Sequence, residues 1–171
     1  MSNLVLITPP ISVPNEEKLL VDLFERGVSR LHVRKSTLSA DGLRNYILQI
    51  PSRFRRRIVL HHDHYLAQEL GLGGKHFRER EIPEDHILAS PPLTASLSYH
   101  TPNQLLQARG DVDYCLLAPV YPSISKPGHV PTPAIEDRRV LKKHISASRY
   151  PVVALGGQYC EFLYANASRA F

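Results

Sequence analysis

The sequence predicts an α/β protein, a (β/α)8 barrel that is truncated after its seventh strand–helix unit. Short apolar stretches alternate seven times with stretches of helical character, and the connections between them are short. This alternation is typical of parallel strands joined by helices. Seven regular units fit most of a barrel better than an open sheet. No strand pattern follows Phe171, so we expect the eighth strand to be missing or to be supplied by a partner.

The predicted strands are short apolar runs, as expected for parallel strands covered on both faces. They are Asn3–Thr8, Arg30–Arg34, Arg57–His61, Gly74–Phe77, Leu93–Ser98, Tyr114–Ala118 and Pro151–Leu155.

The predicted helices are marked by capping and stop residues. Asn15 should cap the first helix and Gly27 should end it, while Thr101 and Pro102 should open a later one. The helices are Glu16–Arg26, Ala40–Ile50, His64–Leu70, Asn103–Arg109, Pro133–Ser148 and Cys160–Ala170. The connection 78–92 has little pattern, with one helical turn expected at Glu84–Ile87.

Length and composition predict one globular domain over residues 1–171, with 43% hydrophobic and 22% charged residues. Two cysteines are too few for a disulfide framework, and Cys115 lies in an apolar strand where a small core residue is expected. No signal-peptide pattern opens the chain and no apolar run reaches membrane-spanning length. We therefore expect a cytoplasmic protein with no membrane partner.

The net charge of +5 points to a nucleic acid or to a small phosphorylated ligand. The densest basic run is Arg53–Arg57, just before a predicted strand. Cations at the end of a helix are favoured by its dipole, so we interpret this run as a solvated turn and expect no nucleic-acid partner.

Ionisable and hydroxyl side chains collect where the predicted strands end, which is where barrel enzymes carry their active residues. They are Arg34, Lys35, His61, His62, Asp63, His76, Ser98, His100, Ser123, Ser125 and Lys126, followed by the Gly156-Gly157 pair. Arginine suits phosphate through paired hydrogen bonds, and a glycine pair before a helix lets backbone N–H groups approach an anion. The pattern predicts an enzyme or a ligand site for a phosphorylated compound.

Each of these features also has a simpler interpretation. The loop that ends at Lys126 could be an ordinary polar loop, and the Gly156-Gly157 pair could be only a tight turn. The histidines around His61 suggest a metal, but neighbouring residues on a strand point to opposite faces, so we disfavour zinc there. A lone His76 is more often a packed histidine than a catalyst.

Six motifs in order resemble those of the thiamine-phosphate synthase and thiazole tautomerase family. The family's Gln-x-Arg-x-Lys corresponds to His32–Ser36, and its Asn-Asp pair to His61-His62. The other four correspond to Gly74–His76, Ser98–Thr101, Ala118–Lys126 and Val152–Gly157. The resemblance covers essentially the whole chain.

The resemblance implies a transferase that joins a hydroxymethylpyrimidine pyrophosphate to a thiazole phosphate and releases pyrophosphate. It implies catalytic roles for Arg34, Ser98 and Lys126. It implies Mg²⁺, carried mainly by the diphosphate, with Asp63 and Glu81 as weak protein ligands. The implied substrate-binding residues are Lys35, His61, His62, His76, Ser123, Ser125, Gly156 and Gly157.

The sequence also departs from the family pattern. His62 replaces one expected carboxylate, and Lys35 lies one place before the expected lysine. Pro119 stands where the tautomerase branch has its histidine, which argues against tautomerase activity. A non-catalytic relative that binds a phosphorylated pyrimidine or thiazole, or an inactive fragment, remains the alternative. An unclosed sheet edge would also favour a homo-oligomer.

Overall fold

The computed structural model of the protein describes residues 4–78, 92–107, 112–123 and 128–156. These residues group into two compact units. The first contains the described residues up to His76 together with 92–94, and the second contains the other described residues. Each unit is described below by itself, and the prediction of a single domain over 1–171 stays a prediction.

Seven strands follow one another in sequence order, which confirms the predicted fold class as far as its seventh strand. The strands are β1 (Val5–Ile7), β2 (Arg30–Val33), β3 (Ile58–Leu60), β4 (Gly74–Arg78), β5 (Thr94–Tyr99), β6 (Tyr114–Leu117) and β7 (Val152–Ala154). In the first unit β1, β2, β3 and β4 pair in parallel, and in the second β5, β6 and β7 do so.

Helices lie between most strands, close to the predicted positions. They are α1 (Glu16–Glu25), α2 (Ala40–Leu48), α3 (Tyr65–Glu69), α4 (Pro102–Leu106), α5 (Pro133–Glu136) and α6 (Arg138–Ala147), with a 3-10 helix at Ser52–Arg57. The predicted capping role of Thr101 is confirmed, because Thr101 and Gln104 form a capping box at the start of α4.

Two helix predictions were wrong. Asn15 precedes α1 but adopts a left-handed conformation with φ 57°, and its side chain makes no capping hydrogen bond. The single helix predicted at Pro133–Ser148 is two helices, because Asp137 leaves the helical conformation and its carboxylate accepts hydrogen bonds from the backbone of Arg139 and Val140. The predictions at Glu84–Ile87 and Cys160–Ala170 lie outside the described residues.

Each unit packs one face of its strands against helices. In the first unit Leu31, Val33, Ile58 and Leu60 join a core with helix residues such as Leu43. In the second unit Leu97, Tyr99, Cys115 and Leu117 join a core with helix residues such as Leu141. Residues that alternate with these along the strands, such as His32 and Ser98, therefore lie on the opposite face.

Two arginines of the basic run, Arg53 and Arg57, make contacts with residues of the first unit. Arg53 pairs with Glu25 at 2.9 Å, and Arg57 donates hydrogen bonds to the backbone carbonyls of Phe24 and Val28. Both guanidinium groups also lie against the Phe54 ring, which is buried.

In the described part of the chain, no helix is both long and apolar enough to span a membrane.

Candidate functional site

Strand register in the first unit brings three histidines together. Val33 pairs with Leu60 on β3, and Leu60 pairs with Lys75 on β4. The residues that follow these three therefore lie at the same level across the sheet. Those next residues are Arg34, His61 and His76. His32 lies two residues before Arg34, which puts it on the same face of β2. We call His32, His61 and His76 the imidazole cluster.

The imidazole cluster is compact. His32 Nδ1 and His61 Nε2 are 3.0 Å apart, so one ring donates to the other. The rings of His61 and His76 have centroids 4.2 Å apart, and the His32 and His76 rings meet edge-on at 5.2 Å. One ring nitrogen from each histidine lies within 4.8 Å of one from each of the other two. His32 and His76 are buried, and His61 is half-buried.

Burial keeps two of these rings uncharged at neutral pH. The pKa of His32 is held well below its usual 6.5, first by burial and then by the neighbouring His76 and Arg30. The pKa of His61 is also strongly lowered, again first by burial and then by His76 and His32. A neutral imidazole has one N–H donor and one free lone pair, so both rings can donate and accept.

Arg34 follows β2 beside this cluster. Its side chain is half-buried, and its positive charge is one of the smaller influences that lower the pKa of His61. The Arg34 backbone N–H donates to the hydroxyl of Thr8 at 2.9 Å, which holds the Arg34 backbone in place. Of the predicted first-unit cations, Arg34 is the one placed next to the imidazoles.

Lys35 points into a different environment. Its side chain is fully buried, and its ammonium lies 2.6 Å from the Glu16 carboxylate and donates to the carbonyl of Ile11. The ammonium also lies 5.2 Å from the centre of the Tyr46 ring. These contacts give Lys35 a role within the fold, and its predicted contact with substrate stays a prediction.

The loops after β1 and β2 are joined by three hydrogen bonds. Besides the Arg34–Thr8 and Lys35–Ile11 bonds, the Thr37 hydroxyl donates to the carbonyl of Pro10. We call residues 8–11 and 34–37 the joined loops. The position of Arg34 therefore depends on the contacts between the loops that follow β1 and β2.

His62 and Asp63 form their own pair after β3. His62 Nδ1 lies 2.8 Å from an Asp63 carboxylate oxygen, and both side chains are partly exposed. Asp63 has a left-handed backbone with φ 50°, and its carbonyl accepts the Leu66 N–H at the start of α3. The turn thus orients the carboxylate toward a histidine.

The predicted Mg²⁺ ligands, Asp63 and Glu81, stay a prediction, because only Asp63 lies among the described residues. Mg²⁺ prefers oxygen ligands in an octahedral arrangement, and carboxylates usually supply them. Of the two predicted carboxylates, Asp63 is paired with His62, and Glu81 lies outside the described residues. The nearby donors are imidazole nitrogens, which suit transition metals better.

In the second unit Ser98 lies near the end of β5, and the other described candidates lie in loops after strands. Ser98 is half-buried and alternates with the core residues Leu97 and Tyr99. Ser123 is half-buried, and its N–H donates to the His129 carbonyl at 2.8 Å. Gly156 has φ 125°, and a Cβ there would lie 2.8 Å from the Tyr121 carbonyl oxygen, so glycine is needed for close approach. The remaining predicted residues, Ser125, Lys126 and Gly157, lie outside the described residues.

His32 was not among the residues predicted for the site. Its signal was present, because it stands two places before Arg34 and must share the face of that residue on a strand. The adjacent histidines after β3 were not predicted to bind a metal together, because neighbours along a strand point to opposite faces. The cluster instead takes one histidine from each of three neighbouring strands.

Parallel strands that alternate with helices, with polar residues near strand ends in each unit, define the class of the fold as α/β. Comparison with known families gives the particular class. The sequence profile described as thiamine monophosphate synthase matches residues 4–166. The chain belongs to this family.

Individual relatives agree with the family. The chain is 32% identical over 100 residues to a thiamine-phosphate synthase of Actinobacillus pleuropneumoniae, covering 56% of this chain and 45% of the relative. It is 25% identical over 113 residues to a thiamine-phosphate synthase of Listeria innocua, covering 64% of this chain and 52% of the relative. The chain thus spans about half the length of the curated relatives it matches.

Two solved structures show the same fold. A thiamine phosphate pyrophosphorylase from Bacteroides thetaiotaomicron is 31% identical with a TM-score of 0.68, covering 91% of this chain and 73% of that one. A thiamine phosphate pyrophosphorylase from Pyrococcus furiosus is similar in fold, with 18% identity, a TM-score of 0.70, and coverage of 91% of this chain and 75% of that one.

Proposed function

We propose that this chain carries out a thiamine-phosphate-synthase reaction. The pyrimidine methylene–oxygen bond to the diphosphate breaks, and the thiazole nitrogen supplies the electron pair for a new carbon–nitrogen bond. Pyrophosphate leaves with the bonding electrons. The observation that carries the proposal is the family match over residues 4–166. Arg34 and neutral imidazoles on one face of the first unit support it.

In this proposal Arg34 binds a phosphate group of the substrate. A guanidinium fork matches phosphate oxygens and stabilises the negative charge that develops as the diphosphate leaves. Its fixed backbone position, held by Thr8, limits the conformational freedom lost on binding. The roles predicted for Ser98 and Lys126 complete the proposal as assignments from the family resemblance, with Ser123, Ser125, Gly156 and Gly157 as further phosphate contacts.

The imidazole cluster is proposed to contact the pyrimidine. A dissociative step places positive charge on the pyrimidine methylene carbon, and an imidazolium nearby would oppose it. Because burial lowers the pKa values of His32 and His61, these rings add no positive charge. Neutral imidazoles also offer donors and acceptors that suit a heteroaromatic ring with an amino group. In the same proposal Mg²⁺ enters with the substrate diphosphate, the protein is cytoplasmic, and copies of the chain associate.

A non-catalytic binder of the same compounds is the second candidate. The pairing of Lys35 with Glu16 and the pairing of Asp63 with His62 favour it, because both remove charged groups expected near a diphosphate. A binder would hold the pyrimidine pyrophosphate and release none of it as free pyrophosphate.

The deciding experiment incubates the purified chain with hydroxymethylpyrimidine pyrophosphate, thiazole phosphate and Mg²⁺. Thiamine phosphate is measured by chromatography, and pyrophosphate by a coupled assay. Equal amounts of both products support the synthase. Calorimetric binding of the pyrimidine pyrophosphate without product supports the binder. Absence of both product and binding contradicts both candidates.

A further inference from the structure

We propose that the imidazole cluster binds a first-row transition-metal ion, with Zn²⁺ as the ion it fits best. One ring nitrogen each from His32, His61 and His76 would coordinate it. The inference rests on the geometry of the first unit. It is an alternative to the proposed contact between this cluster and the pyrimidine, because Zn²⁺ would occupy the same lone pairs and add positive charge there. The residues of the cluster differ from Asp63 and Glu81, the weak Mg²⁺ ligands that the family resemblance implies.

The spacing of the nitrogens is close to that of a metal site. Zinc bound to imidazole at about 2.0–2.1 Å in a tetrahedron places its nitrogen ligands about 3.3 Å apart. The His32 and His61 nitrogens are 3.0 Å apart, and one nitrogen from each ring lies within 4.8 Å of the others. Small rotations of the half-buried His61 and its neighbours would close the remaining gap.

The scaffold holds the three histidines firmly. His32 lies on β2 and His76 on β4, while His61 directly follows β3 and its N–H donates to the Val33 carbonyl at 3.2 Å. The backbone carbonyl of His76 accepts a hydrogen bond from His64 Nε2 at 3.0 Å. Ligands placed on strands keep their positions better than ligands on loops, so little ordering is needed when an ion binds.

The protonation state of the cluster also suits a metal. Histidine binds a metal as the neutral imidazole, and burial of these rings favours the neutral form. At the 3.0 Å contact, one hydrogen now lies between His32 and His61. If the donating ring carried its proton on its other nitrogen instead, both facing nitrogens would have a lone pair for the metal. Both rings would stay neutral, and no proton would have to leave the pair.

The ligand set selects the metal class. Three imidazole nitrogens suit Zn²⁺, Cu²⁺, Ni²⁺ or Co²⁺, whereas Mg²⁺ prefers oxygen. Catalytic zinc sites typically have three protein ligands and a fourth position that is open to water or substrate. Three histidines would give this arrangement. Two positions where the family resemblance expects amides, His32 and His61, hold imidazoles here. This chain therefore has imidazole nitrogens where the family motif has amide groups.

Nearby positive charges oppose the binding of a bare cation. Arg30 disfavours charge on His32, and Arg34 does so on His61. An anion in the fourth position, such as hydroxide or a phosphate oxygen, would offset this repulsion. We therefore expect inorganic phosphate to strengthen Zn²⁺ binding.

The test uses the full chain, purified without a histidine tag. Metal content is measured by mass spectrometry after growth in zinc-supplemented medium. The metal-free protein is then titrated with Zn²⁺ against a chromophoric chelator, with and without phosphate. We expect one Zn²⁺ per chain. His32→Gln and His76→Gln should each weaken binding at least about a hundredfold, since losing even an outer-shell partner costs about 10–100-fold.

His129→Gln is the matched control, because His129 is exposed and lies outside the cluster. It should leave Zn²⁺ affinity unchanged. If the cluster variants fail to fold, X-ray absorption of the wild-type protein with Zn²⁺ decides, and a shell with three imidazole nitrogens is expected. A wild-type chain without stoichiometric Zn²⁺, an oxygen-rich shell, or binding unaffected in folded cluster variants would overturn the proposal.

Discussion

The ammonium of Lys35 and the carboxylate of Glu16 lie 2.6 Å apart in the interior of the first unit, with side-chain exposures of 0% and 6%. Taking two charges out of water is costly, and their mutual attraction offsets that cost only while both are present. The pair joins the residue after Arg34 to the start of α1.

We predict that Lys35→Met lowers the free energy of unfolding by about 3–5 kcal/mol, because it leaves the Glu16 charge buried without a partner. Glu16→Gln should have a similar effect. The double variant Lys35→Met/Glu16→Met should lose much less than the sum of the single changes. Urea unfolding followed by circular dichroism measures all three.

The exposed pair Arg26–Asp22 is the control for this prediction. Asp22→Ala should cost less than about 1 kcal/mol, because exposed pairs contribute little. A loss of that same small size in Lys35→Met would show that the buried pair contributes little to stability.

Arg34→Gln should reduce kcat/KM for thiamine phosphate formation about 100- to 1,000-fold, the cost of losing one contact to developing charge. Arg34→Lys keeps the charge but loses the planar fork, so its loss should be intermediate. The family resemblance predicts a loss like that of Arg34→Gln for Lys126→Ala. Steady-state kinetics with both substrates measures these effects.

Arg44→Gln is the matched control, because it removes an equal charge from a guanidinium that pairs with Glu69 elsewhere in the first unit. Its activity should match the wild type. Equal activity in Arg34→Gln and Arg44→Gln would remove Arg34 from the proposed mechanism.

His62→Asp should lower the Mg²⁺ concentration needed for half-maximal activity. The change restores the carboxylate of the family motif beside Asp63, and oxygen ligands suit Mg²⁺ better than imidazole does. His62→Asn is the control, because it adds an oxygen without charge and should have a smaller effect. Activity measured across a Mg²⁺ series tests this, and an unchanged or higher requirement in His62→Asp contradicts it.

The metal-free protein should lose stability as the pH falls below about 6.5, the usual histidine pKa. His32 and His61 have lowered pKa values in the folded state, so the unfolded chain binds more protons in this range. Stability is therefore complete above that pH and declines below it, by about 1.4 kcal/mol per pH unit for each histidine.

Denaturant unfolding between pH 7.5 and 5 measures this slope. His32→Gln should make it shallower, while His129→Gln, at an exposed position, should leave it unchanged. A wild-type stability that stays constant or rises as the pH falls through this range would contradict the burial of neutral imidazoles.

The sequence predicted the strands and most helices because apolar runs and capping residues are local signals. It placed Cys115 correctly in the core, where burial raises the pKa of its thiol to about 12. The break at Asp137 was missed because Pro133–Ser148 has helical composition throughout, and only the capping hydrogen bonds of Asp137 separate the two helices.

The candidate site was harder to predict, because it depends on which residues meet across strands. A lysine next to an arginine is typical of a surface pair, and nothing local indicated that Glu16 would bury beside Lys35. The imidazole cluster needs the register of β2, β3 and β4, and that register arises from tertiary packing of the sheet.

The joined loops limit how this chain can be altered by evolution or by protein engineering. Loops after barrel strands usually accept insertions and so provide most of the variation in specificity within the fold. Here the backbone carbonyls of Pro10 and Ile11 accept hydrogen bonds from Thr37 and Lys35. An insertion in residues 8–11 would separate these groups and remove one of the two hydrogen-bonding partners of the buried Lys35 ammonium. New specificity is therefore more accessible through the turn at His62 and Asp63, where both side chains are partly exposed.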